Sequence, residues 1–131
     1  MPFDPDIESY YAQGGEQARL ELGYFPLERA RTQEIVLRHL PPPPAVVLDV
    51  GGAAGAYALW LAARGYDVHL IDPVPLHVEQ ASRASTSNER PLASASIGDA
   101  RGLAREDRSA DAVLLLGPLY HLIDRADRLR A

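Results

Sequence analysis

The chain has 131 residues, about the size of one domain, with 47% hydrophobic residues, 24% charged residues and a formal net charge of −5. The absence of cysteine excludes disulfides, thiolate metal sites and cysteine nucleophiles. All basic side chains are arginines, and they form no cluster. Because binding to a phosphate backbone depends mainly on clustered cations, the sequence favours a small molecule as partner over nucleic acid.

The sequence also bears on compartment, membrane and metal. No apolar run approaches the ~18 residues of a membrane span, so we expect no membrane partner. An acidic, polar beginning does not resemble a secretory signal, which favours the cytoplasm. The four histidines are scattered without ligand spacing, so we expect no metal site. An arginine-only set of basic residues is typical of a GC-rich, bacterial genome.

Two helical segments are expected at the beginning of the chain. Residues 8–23 carry apolar side chains at helical spacing around a glycine pair and predict short helices with a break. Residues 26–40 predict a clearer helix, which the four prolines at 41–44 end. We therefore interpret residues 1–44 as a helical lid segment and residues 45–131 as a second region.

The second region alternates strands with helices. An apolar run at 45–50 predicts a buried parallel strand, residues 56–65 a helix with Gly65 as its C-cap, and residues 67–72 a second strand. A helix over 75–84, a strand near 93–99, a strand at 111–117 and a helix from 121 to 131 follow. Right-handed crossovers then predict an α/β fold with a parallel sheet in the order 3-2-1-4.

Ligands of such sheets bind at the carboxyl ends of the strands, where the stretch VLDVGGAAGAY (47–57) ends the first strand. Gly51, Gly52 and Gly55 allow a tight turn and a close approach to a ligand, and a merely structural bend is the less favoured alternative. A dinucleotide fingerprint would need glycine at positions 53 and 56, which are alanine. Phosphate binding is therefore poorly supported.

Three aspartates end successive strands of the predicted sheet. A carboxylate at Asp49 would repel a pyrophosphate and favour a ligand with an ammonium group. Asp72 can accept ribose hydroxyls, and Asp99 can accept an exocyclic amine. Each aspartate alone could instead be a helix cap or a turn former, but three at one rim favour a binding site.

These residues resemble the class I S-adenosylmethionine-dependent methyltransferases, in particular the small-molecule enzymes of the methyltransferase-domain type. The family's first motif, acidic-x-Gly-x-Gly-x-Gly, is matched by Asp49, Gly51, Ala53 and Gly55, with alanine at the middle glycine. Asp72, the GDA at 98–100 and DAVLLLGPLYHL at 111–122 follow in the family's order. The resemblance implies a Rossmann-like methyltransferase fold with N-terminal helices, S-adenosylmethionine as cofactor and a small-molecule methyl acceptor.

The resemblance also implies roles for individual residues. The turn at 51–55 would pack on the methionine part of the cofactor, Asp49 would lie near its amino group, and Asp72 would bind the ribose. Tyr120 and His121 are the candidates for orienting the acceptor or taking its proton, although a surface or capping role fits them equally. The implied cofactor-binding set is Tyr11, Arg19, Asp49, Gly51, Gly52, Ala53, Gly55, Asp72, Pro73, Asp99, Ala100, Leu116 and Gly117, with Leu76 as an alternative to Pro73 on the adenine and with Tyr10, Tyr24 and Phe25 in the lid.

Similar enzymes continue past the fourth strand, so the C-terminal strands of the family are absent here, and we expect a truncated or cleaved piece of a longer methyltransferase. The strand at 112–116 would then be an apolar edge, and we expect a homodimer or a segment exchange through it. Two alternatives remain open. One is a cofactor-binding module without turnover, and the other is a nicotinamide-binding half of a Rossmann fold.

Overall fold

The computed structural model describes residues 5–6, residue 9 and residues 25–131. Residues 25–131 form a helix followed by a four-stranded sheet with further helices. The elements in chain order are α1 (Phe25–His39), β1 (Val46–Val50), α2 (Ala56–Ala63), β2 (Asp67–Asp72), α3 (Pro75–Ser87), β3 (Ser94–Ile97), β4 (Ala112–Leu114), α4 (Pro118–His121) and α5 (Arg125–Arg130). Among these described residues, none of the helices is long and apolar enough to cross a bilayer.

The sheet is parallel, with the strand order β3-β2-β1-β4. The predicted order 3-2-1-4 is therefore confirmed. Asp49 of β1 lies opposite Leu70 of β2 on one side and Leu114 of β4 on the other. Because the strands run parallel, the carboxyl ends of β1 and β2 and the segments that follow β3 and β4 share one edge of the sheet.

The core forms on both faces of the central strands. Alternate residues of β1 and β2 point to opposite faces, and both sets are apolar, as expected of strands covered on two sides. The larger cluster packs the sheet against α1, α2 and α3, and the smaller one lies on the opposite face around Leu48, Val50 and Ile71. Burial of both faces holds the edge that carries the aspartates in a fixed position.

The largest difference from the sequence-based prediction lies at the end of the chain. The single helix expected from residue 121 is wrong, because the backbone of Leu122 is extended and a separate helix begins at Arg125. Asp124 caps that second helix, since its side chain accepts a hydrogen bond from the backbone N–H of Ala126 at 2.8 Å. Cap chemistry, rather than the apolar spacing on which the prediction depended, decides where this helix starts.

Smaller boundary errors have local causes. The helix expected over 75–84 continues to Ser87, because the hydroxyls of Thr86 and Ser87 donate to carbonyls of the preceding turn. The helix expected over 56–65 ends at Ala63, and Gly65 follows its cap with a φ of 101°. The strand expected near 93–99 ends at Ile97, so Asp99 lies in the loop beyond it rather than at its last residue.

β4 is shorter than expected, Ala112–Leu114 rather than 111–117. Within the described part of the chain it pairs only with β1, so its other edge is unpaired there. Leu114 is already buried in the larger cluster, whereas the side chain of Val113 is 55% exposed. Self-association through this edge stays a prediction, with Val113 and not Leu114 as the exposed side chain.

Candidate functional site

A cavity of about 620 Å³ opens at the edge of the sheet where the strands end at their carboxyl sides. Its wall includes the turn after β1, the end of β2, the loop after β3, the helix α4 and one side of α1. A volume of this size suits a nucleoside-sized or drug-sized ligand. The position also agrees with the rule that ligands of parallel sheets bind where the strand order reverses, here between β1 and β4.

The turn after β1 brings the backbone close to the cavity. Gly51 has a φ of 73° and Ala53 a φ of 51°, both in the left-handed region that glycine adopts most easily. A Cβ atom at Gly51 would lie 2.6 Å from the Cγ of Pro118, and one at Gly52 would lie 2.7 Å from Oδ2 of Asp49. The glycines are therefore required by contact, and not only by backbone conformation.

Asp49 lies at the floor of the cavity, below the turn. Its side chain is buried, and its Oδ2 has no hydrogen-bond donor among the described residues. Burial raises the pKa of Asp49 to about 7, and the nearby charge of Asp72 adds to the rise. Burying an oxygen without a hydrogen-bond donor costs free energy of folding. This atom is therefore the strongest indication of a ligand that supplies a donor.

Asp72 is also buried at this edge, but its oxygens have partners. Oδ2 accepts the backbone N–H of Ala53 at 2.9 Å, and Oδ1 accepts that of Val74 at 2.9 Å. Nδ1 of His77 lies 3.1 Å from the same Oδ1. Asp72 therefore ties the glycine turn to the beginning of α3, and a ribose hydroxyl would have to use the remaining lone pairs of the carboxylate.

Asp99 has a third kind of environment, an ion pair. The guanidinium of Arg101 donates to both of its oxygens, with Nη2 at 2.6 Å from Oδ2, and the backbone N–H of Arg101 donates to Oδ1 at 2.9 Å. These hydrogen bonds hold the pKa of Asp99 below its ordinary value. Nη1 of Arg101 lies 3.0 Å from Asp127 of α5, so the guanidinium joins the loop after β3 to the end of the chain.

α4 borders the cavity on the side of β4. Gly117 precedes the helix, and the hydroxyl of Tyr120 lies 3.2 Å from the position that a Cβ would take at Gly117. The rings of Tyr120 and His121 lie 4.3 Å apart between centroids. Both rings line the cavity, and Tyr120 is 75% exposed, so this side has a phenol and an imidazole that a second substrate could reach.

Most residues singled out from the sequence meet at this cavity. Gly55 is the N-cap of α2 and lies behind the turn, outside the lining. Tyr11 and Arg19, like Tyr10 and Tyr24, lie outside the described residues. The predicted residues that line the cavity are Asp49, Gly51, Gly52, Ala53, Asp72, Pro73, Asp99, Ala100, Leu116, Gly117, Tyr120 and His121.

Sequence reasoning missed several lining residues. His77 had a usable signal, since it lies in the first turn of the helix that follows Asp72 and its ring can return to the strand end. The contribution of α1 had none, because which side of a helix faces a distant cavity depends on tertiary packing. The missed residues are Glu28, Arg29, Thr32, Ala54, Ala56, Tyr57, Leu59, Trp60, Ala63, Val74, His77, Asn88, Gly98, Pro118 and Leu122.

The sequence profile of the family described as "Methyltransferase domain" matches residues 47–131, which is more than half of the chain and includes all of the sheet except Val46. The chain belongs to this methyltransferase family. The resemblance to the class I S-adenosylmethionine-dependent methyltransferases is thereby confirmed.

Individual relatives support the same family. Uncharacterised methyltransferases of Mycobacterium tuberculosis and Mycobacterium bovis are 33% identical over 87 residues, which is 66% of this chain and 33% of theirs. The chain spans about a third of the length of these curated relatives. A solved S-adenosylmethionine-dependent methyltransferase of Methanosarcina mazei is 27% identical and has a TM-score of 0.65, with 73% of this chain and 47% of that chain covered.

A more distant structure shares the fold. The magnesium protoporphyrin IX methyltransferase of Synechocystis, solved with bound S-adenosylmethionine, is 18% identical and has a TM-score of 0.68, with 89% of this chain and 62% of that chain covered. The likeness at this identity shows the Rossmann-like methyltransferase fold alone.

Proposed function

We propose that this protein transfers a methyl group from S-adenosylmethionine to a small-molecule acceptor. The observation that carries the proposal is Asp49, a buried carboxyl group at the floor of the cavity whose Oδ2 has no donor among the described residues. Membership of the methyltransferase family supports the reaction, and the cavity supports a ligand of nucleoside size. The cytoplasm as compartment and a bacterial source remain expectations from the sequence.

The residues of the cavity fit S-adenosylmethionine in charge as well as size. The ligand has an ammonium group, which suits the oxygen of Asp49 that lacks a donor. It has a ribose and an adenine amine, which suit Asp72 and Asp99 with the backbone at Ala100. The space that Cβ atoms would occupy at Gly51 and Gly52 is already filled by Pro118 and Asp49, so the turn cannot carry larger side chains toward the ligand.

When bound, S-adenosylmethionine supplies an electrophilic methyl group on a sulfonium. The contribution of the chain is then mainly binding and alignment, because an in-line displacement gains most from proximity. Asp49 and Asp72 would hold the amino group and the ribose of the cofactor, and Leu116 and Gly117 would border the methyl-donor end. Tyr120 and His121 would orient the acceptor, and His121 would take its proton if it has one.

Two other functions remain for comparison. A module that binds the cofactor without turnover would use the same acids but would lack a formed acceptor site. A nicotinamide-binding domain would need room for a pyrophosphate at the turn after β1, where Asp49 and the side chain of Ala53 disfavour it.

Calorimetric titration of the 131-residue chain with S-adenosylmethionine, S-adenosylhomocysteine and NAD tests the proposal. We expect binding of the first two and none of NAD. Binding of NAD alone would overturn the assignment. Product formation in a methyl-transfer assay with a panel of small acceptors, followed by mass spectrometry, separates turnover from binding without turnover.

A further inference from the structure

The two buried carboxyl groups of the cavity differ in one respect. Asp72 accepts two backbone N–H groups, a coordination that suits a carboxylate. Asp49 has a buried Oδ2 with no donor among the described residues. In the absence of a ligand, a second charge at Asp49 would therefore lie buried beside the charge of Asp72, without the hydrogen bonds that Asp72 has.

A proton removes this difficulty. A neutral carboxyl group at Asp49 carries no charge into the buried site and avoids the repulsion from Asp72. An arriving ammonium group reverses the preference, because it supplies the missing donors and an opposite charge to the same oxygen. The empty and the occupied site thus favour different protonation states of one side chain.

We propose that Asp49 is protonated before the ligand binds and that it releases this proton to solvent when a primary ammonium group takes its place beside Oδ2. This inference rests on the proposed function for the identity of the ligand, and it goes beyond it by assigning a proton to the binding step. The exchange balances in atoms and charge. The neutral carboxyl group and the ammonium ion give a carboxylate, a bound ammonium ion and one proton released to solvent.

Several titratable groups surround the same cavity and could add protons of their own. His77 of α3 touches Asp72, Glu28 and Arg29 reach the cavity from α1, and His121 reaches it from α4. His77 is itself buried, whereas Glu28, Arg29 and His121 are more exposed. A ligand that differs only in its ammonium group therefore isolates the contribution of Asp49.

Calorimetry in buffers of different ionisation enthalpy counts the protons released on binding, and it needs no variant. The probes are S-adenosylhomocysteine and its deaminated analogue, which keeps the adenosine, the thioether and the carboxylate. Burial raises the pKa of Asp49 to about 7. We therefore expect S-adenosylhomocysteine to release about 0.9 proton near pH 6 and about half a proton near pH 7, and the analogue to release none from this source.

The affinity for S-adenosylhomocysteine should depend on pH for the same reason. If only the ionised form of Asp49 binds the ammonium group, the affinity for S-adenosylhomocysteine rises about eightfold between about pH 6 and about pH 7.5. The affinity for the deaminated analogue should lack this rise. Equal proton release by the two ligands would assign the proton to another group and overturn the inference.

Asp49→Asn sharpens the result, because the amide is close in shape to the neutral acid but cannot release a proton. We expect the variant to lose both the proton release and the eightfold rise, while it still binds the deaminated analogue. Asp67→Asn is the matched control, since Asp67 lies at the opposite end of β2 in an exposed ion pair with Arg90. It should behave as the unsubstituted protein.

The two proposals fail in different ways. No binding of either probe contradicts the proposed function together with the inference. Binding of S-adenosylhomocysteine with no proton released near pH 6 contradicts only the inference and leaves the cofactor assignment intact.

Discussion

The two halves of the site use the same residue type in opposite ways. At the ends of β1 and β2, Asp49 and Asp72 are buried side by side, and the side chain that contacts Asp72 is the imidazole of His77 rather than an arginine. In the loop after β3, Asp99 is 35% exposed and is held by the guanidinium of Arg101. The first half favours an uncharged acid at Asp49, and the second favours a charged one at Asp99.

The difference shows that the position of an aspartate at a strand end does not determine its charge. Burial and a like charge raise the pKa of Asp49, whereas the hydrogen bonds of Arg101 lower the pKa of Asp99. A cationic group of a ligand therefore has most to gain at Asp49. Asp99 already has a cation, and what it offers a ligand is a fixed acceptor.

The largest effect expected from this contrast is a change in the free energy of unfolding with pH. The pKa of Asp49 is about 7 in the folded protein and near 3.8 in the unfolded chain, so the folded state binds this proton more tightly. Its contribution to stability is complete below about pH 4 and is lost as the pH rises toward 7, about 4 kcal/mol in all. Asp49→Asn should lack this loss.

Urea denaturation of the protein and of Asp49→Asn at a series of pH values measures the effect. The difference between the two free energies of unfolding should move in favour of the variant by about 3 kcal/mol between pH 4 and pH 7, and the rest of the change should follow above pH 7. A difference that is independent of pH would mean that folding does not raise the pKa of Asp49, and the contrast with Asp99 would disappear.

Asp72→Ala tests the partnered member of the buried pair. The substitution leaves the backbone N–H groups of Ala53 and Val74 without their acceptor, so we expect the free energy of unfolding to fall by about 3 kcal/mol. In the variant that remains folded, binding of S-adenosylhomocysteine should weaken by about 1.5–3 kcal/mol if Asp72 also binds the ribose. Unchanged affinity would restrict Asp72 to its structural role.

Asp67→Ala is the control at the other end of the same strand. Its ion pair with Arg90 is nearly half exposed, so its loss should change stability by less than about 1 kcal/mol. Asp72→Asn adds a second comparison, because the amide keeps one acceptor oxygen but removes the charge that acts on Asp49.

The sequence predicted the strands that build this site better than the charges of its side chains. Strand β2 was placed at 67–72, as the structure has it, and β1 to within one residue, because a buried parallel strand is a continuous apolar run between turn residues. The three aspartates were found because parallel strands end at one edge. Their different charges were not found. The charge of Asp49 depends on burial and on Asp72, which is distant in the sequence, whereas that of Asp99 depends on Arg101, which is only two positions away.

The link from Arg101 to Asp127 is another contact between residues distant in the sequence. The two residues are 26 positions apart, and Asp127 belongs to a helix whose start was predicted wrongly. No local pattern indicates which of the thirteen basic residues would face a given acid. Only the packing of α5 against the loop after β3 makes the choice.

Arg101→Met tests this link and should lower the free energy of unfolding by about 2 kcal/mol. Arg101 and Asp127 are only 9% and 11% exposed, so the substitution leaves a nearly buried carboxylate whose other cation, Arg130, is 3.9 Å away. The loss should shrink as the pH falls through the lowered pKa of Asp99, because that carboxylate then becomes neutral and its ion pair with Arg101 is lost. Arg90→Met, which breaks an exposed pair, is the matched control and should cost less than about 1 kcal/mol.

The smallest effect expected concerns the turn beside the two buried acids, which lines the same cavity. Ala53 has a φ of 51°, a conformation that costs a residue with a Cβ about 1–2 kcal/mol and that glycine adopts freely. Against this, glycine has more conformational entropy in the unfolded chain, which favours unfolding by about 0.4–1 kcal/mol. Ala53→Gly should therefore raise the free energy of unfolding by about 0.5 kcal/mol and keep the hydrogen bond from residue 53 to Asp72. The neighbouring Ala54→Gly is the same chemical change at a buried residue without a positive φ, and it should lower stability by about 0.5–1 kcal/mol. Opposite signs in thermal unfolding would establish that the left-handed turn, and not glycine content, sets the preference at this position. A loss of stability in both variants would show that the strain at Ala53 is smaller than the entropy that alanine removes from the unfolded chain.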